Sequence, residues 1–294
     1  MSFGKILTAM VTPFNDNGEI NFQAVEQLVN HLIENGSDGI VVAGTTGESP
    51  TLTYEEKIKL FEAVVSAANK RATIIAGTGT NNTKASIELT KKAEQIGVDG
   101  IMLVAPYYNK PSQEGLYAHF AAIAKETTLP VMIYNIPGRS AVNISVETTV
   151  RLSKIDNIVA TKEASGDVNA MAQIVELTDD RFSVYSGDDS LTLPSLAIGS
   201  KGVVSVASHI IGNEMKTMIE EFLRGNVVEA ASLHRKLLPI MTALFAQPSP
   251  APVKAALNMK GIPAGSVRLP LVPLTKEQEE RLKAIIETQL SVLA

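Results

Sequence analysis

Thr73-Ile74-Ile75-Ala76 is followed by a stretch that Thr83 opens and Gly97 ends, and then by Gly100-Ile101-Met102-Leu103-Val104. An apolar run, a helix and a second apolar run make one βα unit and the start of the next. Each run is mostly apolar, as in strands of a parallel sheet covered on both faces. The same beat recurs in both directions. Ile6–Thr12 and Gly39–Ala43 precede it; Val131–Tyr134, Ile158–Lys162, Ser183–Ser186 and Gly202–Val206 follow. Phe22, Val25, Leu28, Val29, Leu32 and Ile33 keep helical spacing up to Gly36. Thr53 with Glu56 three residues on is a capping-box signature ahead of Ile58, Phe61 and Val65. Eight such units over about 225 residues predict an α/β fold, a (β/α)8 TIM barrel, in preference to an open sheet. A doubly wound sheet is the alternative, because a sequence does not display closure.

After Asn226 the strand pattern stops. The reading divides the chain into a catalytic barrel, 1–225, and a C-terminal helical region, 226–294. Val227–Phe245 reads as a helix. Gln247-Pro248-Ser249-Pro250-Ala251-Pro252 reads as extended, since three prolines do not fit a helix interior. A short helix is expected from Val253, then a loop at Arg268-Leu269-Pro270-Leu271. Thr275 with Gln278 opens a last helix carrying Leu282, Ile285, Ile286 and Leu290.

Composition removes whole classes of function. The chain has 294 residues, with 26 Lys and Arg against 31 Asp and Glu, a net charge of −5. That balance lacks the broad basic surface nucleic-acid binding needs, so no nucleic-acid partner is expected. With no cysteine, there is no disulfide, thiolate metal site or cysteine nucleophile. No apolar run approaches the ~20 residues of a membrane helix, so no membrane partner is expected. The N-terminal apolar run is broken by Pro13 and reads as a strand, not a secretory signal. The expected location is the cytoplasm. His31, His119, His209 and His234 are scattered without ligand spacing, so no metal is expected. No cofactor is expected either: Gly44-Thr45-Thr46-Gly47-Glu48-Ser49 lacks the P-loop lysine, and Gly77-Thr78-Gly79 lacks a third glycine.

In a barrel the site lies where strands end at their C-terminal side. Lys162 ends the sixth run. Strand alternation puts Ile158, Ala160 and Lys162 on one face. If that face is the interior, the amine is partly desolvated, its charged form is disfavoured, and the neutral form can attack a ketone. The plainer alternative is a lysine that snorkels outward or pairs with Glu163. Tyr134 ends the fifth run, beside it, and can relay a proton; alone, it would read as a rim tyrosine. The glycines and hydroxyls of residues 44–49 can hold a carboxylate, or make an ordinary βα loop with turn residues. Arg139, just beyond Tyr134, can grip another, or form a structural ion pair. Tyr107 and Tyr108 either cover the site or enter a subunit interface. Asp188 and Asp189 can orient a substrate or cap the next helix, and Asp189 reads as the cap.

Taken in order, these segments resemble the dihydrodipicolinate synthase family, also called the 4-hydroxy-tetrahydrodipicolinate synthase family, within the pyruvate-dependent class I aldolases. The segments are Gly44–Ser49, Ala76–Gly79, Pro106–Gly115, Tyr134–Arg139, Lys162–Asp167, Ser186–Asp189, Pro250–Lys254 and Arg268–Leu271. The resemblance implies that Lys162 forms an imine with pyruvate, whose enamine attacks L-aspartate 4-semialdehyde in lysine biosynthesis. It implies a proton relay of Tyr134, Thr45 and a neighbouring subunit's tyrosine, matched here by Tyr108. Thr45 and Thr46 would meet the pyruvate carboxylate, Arg139 the semialdehyde carboxylate, and Gly187 and Val204 would line the pyruvate pocket. A homotetramer built from tight dimers is expected.

A sister aldolase acting on N-acetylneuraminate or a keto-deoxy sugar acid would share the lysine and tyrosine. Arg139 and the tyrosine pair favour a small carboxylated aldehyde instead. A non-catalytic binding protein on a barrel is a third possibility, opposed by the intact set of Lys162, Tyr134, Thr45 and Arg139. Lysine-inhibited members match at Ser49, Asn81 and Tyr107. They often carry histidines where this chain has Tyr54 and Lys57, and an acid where it has Ala85. A cationic Lys57 without that acid should repel lysine, which predicts weak or absent inhibition.

Overall fold

Among the described residues, 3–293 of a computed structural model, eight parallel strands close into a ring. They are β1 (Ile6–Ala9), β2 (Gly39–Val42), β3 (Thr73–Gly77), β4 (Gly100–Val104), β5 (Val131–Asn135), β6 (Ile158–Glu163), β7 (Ser183–Ser186) and β8 (Gly202–Ser205). β8 returns to β1, with Leu7 opposite Val204. Each strand is buried on both faces, which is why its sequence does not alternate. Leu7, Val41, Ile75, Met102, Met132, Tyr185 and Val204 fill the interior. Ile6, Ile40, Ile74, Ile101, Ile133, Val184 and Val203 belong to the core under the helices. The first strand is shorter than Ile6–Thr12 predicts. Met10 still donates to the Val41 carbonyl, but Thr12 has left the ladder, and its hydroxyl donates to the Gly47 carbonyl at 2.7 Å.

One strand breaks the alternation. Val131 pairs with Ile158, but Met132 pairs with Ala160, so Val159 is an extra residue on β6. Ile158 therefore joins the helix-side core while Ala160 faces the interior. Simple alternation along the strand puts Ile158 on the same face as Lys162; the bulge corrects that and leaves Ala160 and Lys162 together.

The helix caps follow the local sequence. Thr53 accepts from the Glu56 N–H and Glu56 accepts from the Thr53 N–H, completing the box. Gly97 ends Thr83–Ile96 with φ +93°, a conformation glycine adopts without a Cβ penalty. Thr275 and Gln278 make the same reciprocal pair ahead of Lys276–Leu293. The proline segment differs from expectation. The helix Ala251–Met259 begins before Pro252, which sits in its first turn. An N–H there has no helical partner, so proline is tolerated. The preceding helix, Val227–Ala243, holds Pro239 inside it. Leu237, Val253, Leu257, Leu282 and Ile286 join the helix-side core. No helix among the described residues is long and apolar enough to cross a membrane.

Candidate active site

A cavity of about 250 Å³ opens at the C-terminal ends of β2 to β5. Its walls include Gly44, Thr45, Ser49, Gly79, Met102, Val104, Tyr107, Tyr134, Ile136 and Arg139. Met102, Val104 and Ile136 carry no sequence signal that sets them apart from core, being apolar strand and loop residues. Gly77 and Gly79 have a steric role here. A Cβ at Gly77 would lie 2.6 Å from the Ala43 carbonyl oxygen, and one at Gly79 only 2.4 Å from the Val104 nitrogen. Side chains there would push apart the strand ends that form the cavity.

Lys162 and Tyr134 are register partners on β6 and β5. Lys162 is 5% exposed and Tyr134 is 3% exposed. The lysine Nζ lies 4.1 Å from the centre of the tyrosine ring. Glu163 does not pair with this amine. Its carboxylate accepts from the Asn135 amide and the Ser165 N–H, and burial pushes its pKa up. Gly187 lies against the lysine: a Cβ there would be 3.0 Å from Lys162 Cε and 2.6 Å from Ala164 Cβ. Only a residue without a side chain leaves the amine its path, and the Gly187 N–H is fixed on the Glu163 carbonyl at 2.7 Å. Val204 is buried in the same interior.

The threonine loop turns sharply after β2. The Glu48 N–H donates to the Thr45 carbonyl at 3.0 Å, and the Ser49 N–H to the Gly44 carbonyl at 3.3 Å. Thr45 reaches the cavity wall, whereas Thr46 is buried. Arg139 is exposed in the short turn Pro137–Ser140 and also lines the cavity. The two adjacent tyrosines part company. Tyr107 lines the cavity, while Tyr108 has φ +74° and is 88% exposed. The structure thus brings Thr45, Tyr134 and Arg139 to one cavity and Lys162 to Tyr134, and leaves Tyr108 outside.

Two polar roles differ from the sequence reading. Asp188, not Asp189, caps the turn Asp189–Leu191, by accepting from the Ser190 N–H. Asp189 is buried and accepts from the Val206 and Ala207 N–H groups, so it fastens the end of β8; burial pushes its pKa up. His119 is buried with Nδ1 2.9 Å from Thr83 Oγ1, and burial lowers its pKa from 6.5 to about 4. The fold therefore holds it neutral while the unfolded chain protonates. Its contribution to stability is complete above about pH 6.5 and is lost as pH falls toward 4. His119→Met should flatten the acid limb of the stability curve by at most about 3 kcal/mol. Equal limbs in denaturant titrations of the two proteins from pH 6.5 to 4 would refute this.

Residues 2–289 match the profile of the dihydrodipicolinate synthetase family. The chain belongs to that family. It is 63% identical over 286 residues to a 4-hydroxy-tetrahydrodipicolinate synthase of Oceanobacillus iheyensis, covering 97% of each chain. A crystal structure of a dihydrodipicolinate synthase from Bacillus anthracis superposes with TM-score 0.96 at 61% identity, covering 98% of this chain and 99% of that one. A synthase from Cyanidioschyzon merolae, solved with lysine bound, gives TM-score 0.96 at 49% identity, covering 98% of each chain.

Proposed function

We propose that Lys162 is the amine through which this family member works, by bonding covalently to pyruvate. The activity is the synthesis of 4-hydroxy-tetrahydrodipicolinate, a lyase reaction in the biosynthesis of diaminopimelate and lysine. Pyruvate and L-aspartate 4-semialdehyde are the substrates. The observation that carries the reading is the buried Lys162 amine 4.1 Å from the Tyr134 ring, at adjoining strand ends.

The neutral amine adds to the ketone carbon of pyruvate. Loss of water gives an imine, and removal of a methyl proton gives an enamine. The enamine carbon bonds to the aldehyde carbon of the semialdehyde, whose oxygen takes up a proton. The semialdehyde's own amine then attacks the imine carbon, closes the ring and expels the Lys162 amine. Tyr134 and Thr45 move protons in these steps, and Tyr108 of a neighbouring copy completes the relay across a dimer interface; its exposure in the single chain supports that assignment. Thr45 and Thr46 receive the pyruvate carboxylate, Arg139 that of the semialdehyde, and Gly187 and Val204 wall the pyruvate. The assembly is a homotetramer working in the cytoplasm, with catalysis in residues 1–225 and a supporting helical region in 226–294. Incubation with pyruvate, reduction with borohydride and peptide mapping test the reading. The expected adduct lies on the peptide carrying Lys162; absence of an adduct refutes it.

Lysine is expected to inhibit weakly or not at all. Ser49 and Tyr107 share the cavity wall, and the Asn81 amide donates to the Tyr107 carbonyl at 3.1 Å. Lys57 is buried, and burial lowers the pKa of its amine. That weakens its repulsion of a lysine ligand, but no acid stands at Ala85 to attract one. Strong inhibition at sub-millimolar lysine in a steady-state assay would overturn this.

A further inference from the structure

Glu48 closes the loop that carries Thr45 and Thr46, yet its side chain serves the opposite end of the chain. It is 2% exposed and has φ +56°, a left-handed conformation that disfavours side-chain-bearing residues. One carboxylate oxygen pairs with Lys254 Nζ at 2.7 Å. The other accepts from the Arg268 N–H at 2.8 Å, across 220 residues of sequence. Lys254 is 1% exposed and also donates to the Ser266 carbonyl at 2.7 Å. Its amine and the Arg268 guanidinium both contact the Phe14 ring, at 4.1 and 4.3 Å. Arg268 in turn holds the carboxylate of Glu56, which caps the helix after the loop, and donates to the Thr51 carbonyl.

Both charges of the Glu48–Lys254 pair are removed from water, so the pair is a weak source of stability; its strength is in fixing one geometry. The geometry it fixes is a loop whose wall residue faces the cavity. Thr12 holds the Gly47 carbonyl from the first strand's side; Lys254 and Arg268 hold the next residue from the C-terminal region. We propose that Lys254 is a positioning residue that, with the Arg268 backbone, sets Thr45 and Thr46 for the pyruvate carboxylate. This rests on the reading of Lys162 and the threonines given above.

The test compares Lys254→Met with Lys254→Met/Glu48→Gln. The first leaves a buried carboxylate without its cation and can fail to fold; the second has no unpaired buried charge. Both retain Lys162, Tyr134 and Arg139. The expected result in the double variant is a melting temperature near the parent's, a pyruvate KM raised at least about ten-fold, and a semialdehyde KM changed less than about two-fold. The pyruvate dependence of adduct formation on Lys162 should shift with the pyruvate KM. A double variant that recovers stability and normal pyruvate KM together overturns the proposal, as does one in which both KM values rise alike. If the parent forms no adduct, the covalent reading itself has failed. If the parent forms it and the variant's pyruvate dependence is unchanged, only the positioning role has failed.

Discussion

Lys162→Ala is expected to abolish the borohydride-trapped pyruvate adduct and to lower turnover by on the order of 10⁴-fold or more, the scale of losing a covalent nucleophile. The result is informative because the chain has competing amines. Lys57 is buried, with its pKa lowered by that burial, and Lys254 is buried deeply enough to have its pKa lowered to about 8, against the pull of Glu48. On acidity alone Lys254 would be a good nucleophile. Geometry decides otherwise. Lys254 is engaged by Glu48 at 2.7 Å and by the Ser266 carbonyl, so its nitrogen is occupied. Lys57 lies on the helix Tyr54–Ala68, not on a barrel strand. Lys162 ends a strand on the barrel interior beside Tyr134. The variant should keep a cooperative melt, since Lys162 lies beside Tyr134 on the barrel interior and the core under the helices is unchanged. An adduct that survives on Lys57 or Lys254 would move the chemistry to that residue.

The barrel was legible because its signals are local. Buried parallel strands announce themselves as apolar runs, and Gly97, Thr53 with Glu56, and Thr275 with Gln278 act within one helical turn. Lys162 and Tyr134 could be placed side by side because each ends one of two neighbouring runs, but from position alone each kept a plain reading, a snorkelling lysine and a rim tyrosine. What escaped depends on partners distant in sequence. The extra residue at Val159 exists only against Met132 on β5, so alternation within β6 could not reveal it. Proline's incompatibility with helix interiors predicts an extended Pro252, but it occupies a first turn, where the missing N–H does no harm. Asp188 and Asp189 are adjacent and chemically alike; the distinction between them is the fully buried end of β8 that only Asp189 reaches. Lys254 stood in a conspicuous segment, Pro250-Ala251-Pro252-Val253-Lys254, but its partner Glu48 gives no periodic signal. A charge on the apolar side of a short helix was the available clue, because Lys254 is flanked by buried Val253 and Ala256.

Tyr134→Phe should lower turnover about 10²-fold or more, the usual loss for a positioned proton-transfer group. The substitution is clean. Phenylalanine keeps the ring that lies 4.1 Å from the Lys162 amine and the packing among Met132, Val104 and Ile136, and removes only the hydroxyl. Lys162 is untouched, so the pyruvate adduct should still form, but slowly; that separates this variant from Lys162→Ala, which should form none. Thr45, on the same cavity wall, supplies a second check. If the two hydroxyls pass protons along one chain, breaking either link disables it. Tyr134→Phe/Thr45→Val should then lose little more than the worse single variant, the non-additivity expected of groups acting as a unit. Losses that multiply would assign the two hydroxyls to separate tasks. Near-normal kcat in Tyr134→Phe would remove the phenol from proton transfer and leave its ring, which shapes the site around the lysine, as its contribution.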